Sequence, residues 1–596
     1  MAIILKKLFL HITLFFSFIC FSQNEQLAQY FYDKGDFEKA KISYQELLEA
    51  VPQNTVYFLR TVDCLQQLQQ FEQAEKMLTT QLNTYKQATI LVEIGYNYQL
   101  QKNEVKAKEY YNQAIDAIQL NAYEVYSVSQ SFENKVLLDY ALKSYETAEL
   151  KMANLNFNYQ KGLLYGQLGN MEKMVDTFLD EAYAAPQNSI MIQNQMSRFM
   201  TDEGDTSFSD LLRKALVVRV QKSQDLFWNH YLSWYYVQQK EFSKAFIQEK
   251  SIYKRNPESL SNILNLAQLS IQEEDEETAK MVLDFVLENT QNLELLLQAN
   301  SYLMKMKIDK ALPAQYATIN AELDALLKQY EISPFSLSLQ LIQAHFVAFK
   351  LKKPDDAKAI VKKAFSLPLN NYQQAQVKME LADILLFEEK FNQALLYYSQ
   401  IELDLKNDAV AHEASLKAAK TSYFKADFTW ALKQFKELKS ASTQLIANDA
   451  LEYFLLINDN TVADSTQTAL KEFAKGDYLL YQNRNDEAIA QFQSILNKYK
   501  GDEIEAVTLL RLGKVYEDLG DFTLALSQYQ SIISQHSDGI YIDEALYFSA
   551  EIYNKKLKTP EMAKPLYEKI LFNHEDSIYF VEARKSFRTI RGDKNL

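Results

Sequence analysis

The sequence predicts an all-α protein built as a solenoid of paired helices, and three observations carry that prediction. The first is a scarcity of turn residues: 596 residues hold 12 Gly and 9 Pro, where average usage gives about 42 and about 30. A β-sandwich, a barrel or a doubly wound sheet uses those residues at most of its turns, so such folds are disfavoured along the whole length. The second is the supply of apolar side chains, 47% of the chain with 13% aromatic, which is ample for a long core. The third is a period. Small residues that precede an aromatic residue or leucine by four positions form a ladder at Ala40, Ala74, Ala107 and Ala141, continued by Met174, with steps of 34, 33, 34 and 33. Further rungs fall at Ala245, Ala279, Ala357, Ala394, Ala431, Ala488, Ala525 and Ala563, thirteen in all.

The same residue types return around each rung. With the rung as position 20, position 24 is Tyr44, Leu78, Tyr111, Tyr145, Phe178, Leu283, Tyr398, Phe435, Phe492, Tyr529 and Tyr567. Position 8 is small in most repeats, as at Ala28, Gly95, Ser129, Gly162, Ala382, Ala419, Gly476 and Gly513, and position 11 is large, as at Leu65, Tyr98, Phe132 and Tyr516. Offsets 4, 7, 8 and 11 share one face of a first helix, and 20, 24 and 27 share one face of a second. Small residues at 8 and 20 let the two helices approach, and the large residue at 24 fills the groove beside them. Gly35 with Asp36, Gly169 with Asn170 and Gly520 with Asp521 each supply a left-handed helix stop and then an N-cap. Pro52, Pro186 and Pro257 stand at position 32, where proline ends the second helix. No such pair buries its face alone, so pairs must stack.

This pattern resembles the tetratricopeptide repeat family, and the resemblance covers nearly all of the chain after its first segment. It implies a right-handed α-solenoid of about thirteen recognisable hairpins plus degenerate pairs. From Ala357 the steps lengthen to 37 and 37, then 57, then 37 and 38; the 57 is one full step plus about one extra helix. The last repeats end in His536-Ser537-Asp538-Gly539-Ile540-Tyr541 and His574-Glu575-Asp576-Ser577-Ile578-Tyr579, a junction similar in style to the repeats of outer-membrane-assembly and Tol–Pal accessory proteins. Register failures suggest boundaries: an N-terminal array over 23–290, degenerate connecting helices over 291–335, and a C-terminal array over 336–596. Residues 188–224 read as a helix pair with an atypical polar loop at 201–209. Near 441–470, Asn458, Asp459 and Asn460, and Ala463, Asp464 and Ser465, read as loop.

Residues 1–22 read as an export signal, with Lys6 and Lys7 before an apolar run at 8–21 and small residues at Cys20 and Ser22 for cleavage. The run is too short to span a bilayer, which takes about 20 residues. Ile19 before Cys20 argues against a lipoprotein signal, which wants a small residue there, and a lipidated Cys20 is the alternative. Once Cys20 is removed, Cys64 is the one remaining cysteine and no intramolecular disulfide forms. A Gram-negative periplasm, with outer-membrane association as a further option, is the expected destination.

The balance of 63 basic and 78 acidic residues, −15 overall, disfavours a nucleic-acid partner. Five histidines follow the signal, at 230, 345, 412, 536 and 574. In a linear stack sequence distance approximates spatial distance, so they are expected to lie far apart, as satisfied or exposed structural residues. No His-x-x-x-His pair or two-cysteine site offers a zinc arrangement, and no cofactor is expected. The acidic run at 273–277 falls where carboxylates favour a helix N-terminus.

The resemblance implies that first-helix offsets 2, 5, 9 and 12 line a groove. The family's C-terminal-carboxylate clamp is missing, because Glu25 and Gln29 stand where its Lys and Asn belong. The candidate partner-binding residues are Tyr96, Trp228, Trp234, Lys514 and Glu517. The tryptophans lie in an aromatic run at 227–236, and groove-facing anchors and core burial are both open readings for them. The expectation is an exported, non-catalytic scaffold that binds other proteins, envelope components among them, with any membrane association made through those partners or through a lipidated Cys20. The alternative is a peptidoglycan- or carbohydrate-associated enzyme or binder on a helical solenoid.

Overall fold

The ladder residues hold the molecule together as the spacing requires. All thirteen rungs are buried, twelve of them fully and Ala107 to 3% exposure, and the position-24 rings of Tyr44, Tyr398, Phe435, Phe492, Tyr529 and Tyr567 are at 1% or less. The computed structural model describes residues 24–152, 154–200, 207–258, 260–406, 408–441, 444–462 and 466–592. The expected signal segment at 1–22, with Cys20, lies outside them, as do residues 201–206 of the expected polar loop and the expected loop at 463–465. Among the described residues there is no strand, and the fold is an α-solenoid of antiparallel hairpins.

The chemistry of one hairpin explains the others. A Cβ placed on Gly476 would lie 2.5 Å from the Phe492 ring, and one on Gly162 would lie 2.5 Å from the Phe178 ring. Gly95 against Tyr111 and Gly513 against Tyr529 meet the same obstacle. The small residue at position 8 therefore exists to seat the ring at position 24 of its own hairpin. The turn between the two helices passes through the left-handed region at every repeat. Gly35, Gly169 and Gly520 take φ of 74°, 75° and 78°, but Gln69, Lys102, Val136, Lys240, Glu274, Glu389, Ala426 and Asn483 hold the same turn at 54–62°. The caps follow: Asp36, Asn103, Asn170, Asp275 and Asp521 each accept a hydrogen bond from the main-chain N–H three residues on.

The chain divides into two compact units at about residue 218. The first contains helix 24–33 with Phe37–Ala50, then Thr55–Gln67 with Phe71–Tyr85, Ala88–Leu100 with Glu104–Leu120, Val125–Asn134 with Leu138–Lys151, and Asn158–Gln167 with Met171–Ala184. The buried Cys64 sits here, its thiol pushed up to about 12 by desolvation. The second unit opens on Leu226–Gln238 with Phe242–Arg255. Residues 291–335 form two helices of it, Leu293–Asp309 and Tyr316–Tyr330. The extra helix implied by the 57-residue step is Gln444–Val462. It includes Asn458, Asp459 and Asn460, so the loop reading of those three is corrected. Buried Leu456 and Ile457 anchor that turn of helix, and the Asn460 side chain bonds back to the Leu456 carbonyl.

Candidate partner-binding groove

Six helices of the second unit build the site: α1, Leu337–His345; α2, Asn371–Phe387; α3, Ala409–Phe424; α4, Gln444–Val462; α5, Thr468–Tyr481; and α6, Ile504–Asp518. All except α4 are first helices of their hairpins. The inserted α4 pairs with Phe428–Ala441, which leaves α5 to pack on α3. The consequence is a closure across the groove. Tyr478 on α5 donates to the Leu386 carbonyl at 2.7 Å, Tyr481 to the Asp383 carbonyl at 2.9 Å, and Gln482 to the Phe387 carbonyl at 2.9 Å. The last turn of a helix carries carbonyls with spare acceptor capacity, which suits it to this contact. Tyr481 also meets Phe349 edge-on at 5.6 Å. Residues more than ninety positions apart therefore touch, and the expectation that sequence distance tracks spatial distance fails here.

Charged side chains fill the space so enclosed. Asp383 follows the small Ala382 and Asp477 follows Gly476, so both stand at offset 9. Asp383 accepts from the Tyr398 hydroxyl at 2.5 Å and pairs with Lys417 at 2.7 Å through its other oxygen. Asp477 accepts from the Tyr423 hydroxyl at 2.9 Å and pairs with the Arg511 Nε at 3.1 Å. Burial raises the Asp477 pKa and outweighs the lowering effect of Arg511. Burial opposes the charge of Lys417, but Asp383 and Glu413 hold its pKa above the ordinary lysine value. Lys420, again at offset 9, pairs with Asp449 of α4 at 3.1 Å and lies 5.1 Å from the centre of the Tyr453 ring. Arg511 reaches Glu452 of α4 at 3.2 Å.

At one rim His345, half exposed, stacks on Phe349 at 4.2 Å and contacts Glu380 at 3.1 Å. The groove walls desolvate the imidazole, which works against its charge, yet Glu380 prevails and its pKa is raised. Burial raises the pKa of Glu380 as well. Between these clusters lies a cavity of about 510 Å³ bordered by Leu386, Phe424, Tyr453, Leu480 and Tyr481 along with the charged groups. Such a surface offers rings and paired charges for recognition.

The sequence-selected residues do not converge on this cavity. Trp228 is 6% exposed and lies under the Arg219 guanidinium, so its surroundings match the core reading and not the groove-facing one. Trp234 is half-buried, edge-on to Tyr231 at 5.9 Å. Tyr96, in the first unit, is covered by Lys135 at 4.7 Å, and that ammonium pairs with Asp63 and Glu93 at 2.8 and 3.1 Å. Lys514 lies over the Phe548 ring at 5.0 Å, and Glu517 accepts from Tyr529 at 3.2 Å. Asp383, Lys420 and Asp477 were missed although they share offset 9 with Tyr96, Trp234 and Lys514. Among the described residues no cluster of three or more potential ligands could hold a metal ion, and no helix is long and apolar enough to cross a membrane.

The tetratricopeptide repeat family matches residues 24–54 and 155–188 in the first unit and 473–540 in the second. No curated protein matches the chain. Among solved structures, the Naa15/Naa10 complex bound to HypK-THB aligns at 14% identity over 96% of this chain and 97% of that one, with a TM-score of 0.29. Yeast Tom70 aligns at 14% over 84% and 99%, with a TM-score of 0.30. A tetratricopeptide repeat protein from Parabacteroides merdae aligns at 17% over 49% and 96%, with a TM-score of 0.25. The hairpins at 24–54, 155–188 and 473–540 are thus tetratricopeptide repeats, and repeats of that family suggest a protein-interaction scaffold.

Proposed function

We propose that the chain is an exported, non-catalytic scaffold of a bacterial cell envelope, holding segments of other envelope proteins against the first-helix face of its second unit. The observation that carries this reading is the groove. In a stack whose second helices already seal the core, α2, α3, α5 and α6 direct aromatic rings and paired charges into an accessible cavity of about 510 Å³, the kind of surface on which peptides anchor. The repeats support the scaffold role, since the family is generally a binding fold. The envelope location rests on Lys6, Lys7 and the apolar run at 8–21, with the periplasm, or the outer membrane through partners or Cys20, as destination. Mass spectrometry of the mature N-terminus after cell fractionation tests the export. Crosslinking in intact envelopes, followed by identification of co-purified proteins, tests the scaffold. Cytoplasmic recovery with residues 1–22 intact would overturn the first, and muropeptide release by the purified chain would overturn the second.

A further inference from the structure

The carboxylates of the groove fall into two classes. Asp383 and Asp477 have both oxygens occupied, one by a tyrosine hydroxyl and one by a cation. Glu413, Asp449 and Glu452 are different. Each engages a single cation through one oxygen, Lys417 at 3.3 Å, Lys420 at 3.1 Å and Arg511 at 3.2 Å, and each side chain is about half exposed. Their second oxygens, Oε2 of Glu413 and Glu452 and Oδ1 of Asp449, have no bonded partner among the described residues. The totals agree: Glu380, Asp383, Glu413, Asp449, Glu452 and Asp477 face Lys417, Lys420 and Arg511, six carboxylates to three permanent cations. An anionic partner would find every one of those cations already paired. A cationic partner would find three half-engaged carboxylates: Glu413 borders the cavity with the rings of Phe424, Tyr453 and Tyr481, and Asp449 and Glu452 flank Lys420 and Arg511, which border it too.

We propose that this groove takes a basic protein segment, one whose lysine or arginine side chains lay their aliphatic stems on Phe424, Tyr453 and Tyr481 and set their charges against Glu413, Asp449 and Glu452. The assignment rests on the scaffold reading and adds the chemistry of the partner. Long cationic side chains suit the site because their methylenes cover aromatic surface while the charged end stays at the half-exposed rim. The buried pairs of Asp383 with Lys417 and Asp477 with Arg511 remain intact in the complex and keep α2, α3, α5 and α6 in register beneath it. Electrostatic complementarity of this kind speeds association and makes it sensitive to salt.

The test uses the full chain and two fluorescent peptides, one alternating lysine with phenylalanine and one alternating glutamate with phenylalanine, followed by anisotropy at low and high salt. The lysine peptide is expected to bind, to weaken with salt, and to lose about tenfold in affinity in the Glu413→Gln/Glu452→Gln variant, as removal of two rim charges implies. A control pair, Glu273→Gln/Glu277→Gln, is expected to leave affinity unchanged. Both variants alter exposed positions, and circular dichroism verifies their helicity. Equal binding of the two peptides, or equal losses in the groove and control variants, would overturn the proposal. A natural partner crosslinked in the groove through an acidic segment would overturn the charge assignment while leaving the scaffold reading standing; partners crosslinked only elsewhere would overturn both.

Discussion

Tyr481 donates a hydrogen bond of 2.9 Å to the main-chain carbonyl of Asp383, ninety-eight residues before it. That bond, with those of Tyr478 and Gln482 to the same helix end, closes the stack on itself around the cavity. Replacing Tyr478 and Tyr481 together by phenylalanine keeps the ring packing and removes the donors. A cost of about 1 kcal/mol per hydroxyl is expected. Because stacked repeats open locally, hydrogen exchange should accelerate in 468–591 and stay unchanged in the hairpins of 55–120. Uniform acceleration along the chain would contradict the closure.

Gly476 seats the Phe492 ring, so Gly476→Ala sets two effects against each other. Alanine gains about 1 kcal/mol of helix propensity, while overpacking a closed core costs about 1–3 kcal/mol. With a Cβ 2.5 Å from the ring, the clash wins and denaturant titration should show a net loss. In a Phe492→Leu background the same change should be neutral or stabilising. A loss of equal size in both backgrounds would show that the ring is not the obstacle.

Val136 holds the turn of its hairpin at a φ of 57° and is 76% exposed. A β-branched residue is strained there and glycine is not. Val136→Gly should therefore raise the melting temperature of the first unit, by the equivalent of about 1 kcal/mol. A decrease would mean that the exposed isopropyl group makes a contact that outweighs its strain.

Protonation of His345 should strengthen the rim. Its pKa is raised in the folded chain by Glu380, so its contribution is fully present below the unfolded value near 6.5 and fades as pH rises through the higher folded value. Glu380, raised by burial, acts in the same direction at lower pH, and Asp383 and Lys417 complete the charges that face the pair. Stability of the intact chain should thus fall as pH rises above the unfolded imidazole value near 6.5, and the fall should be smaller in His345→Gln. Identical pH profiles would remove His345 from the rim's electrostatics.

Most of the hairpin architecture was legible because it rests on local spacing. The rungs, the position-24 rings and the position-8 glycines that seat them all lie within one repeat, and the long 57-residue step announced an inserted helix. The groove was legible only in part. Offset 9 drew attention to Trp234 and Lys514, whose residue types stand out, but the same offset at Asp383, Lys420 and Asp477 looks like ordinary surface charge until a neighbouring repeat supplies the partner. The closure left no mark at all. Its acceptors are main-chain carbonyls, which every residue has, and its donors are a glutamine and two tyrosines in a chain with 38 tyrosines. Trp228 stayed open to both readings for a related reason: composition flags an aromatic cluster but does not say which of its rings a neighbour such as Arg219 covers. The turn glycines supply the left-handed stop where the sequence places them, and Val136, Lys240 and others make the same turn without glycine.

The central claim, that partners are held on the first-helix face of the second unit, is tested most directly by a photo-crosslinking amino acid placed at Glu413 in the groove or at exposed Phe572 on a second helix, in living cells. The account predicts a discrete protein adduct from position 413 and none from position 572. Adducts from 572 alone, or from neither position, would contradict it.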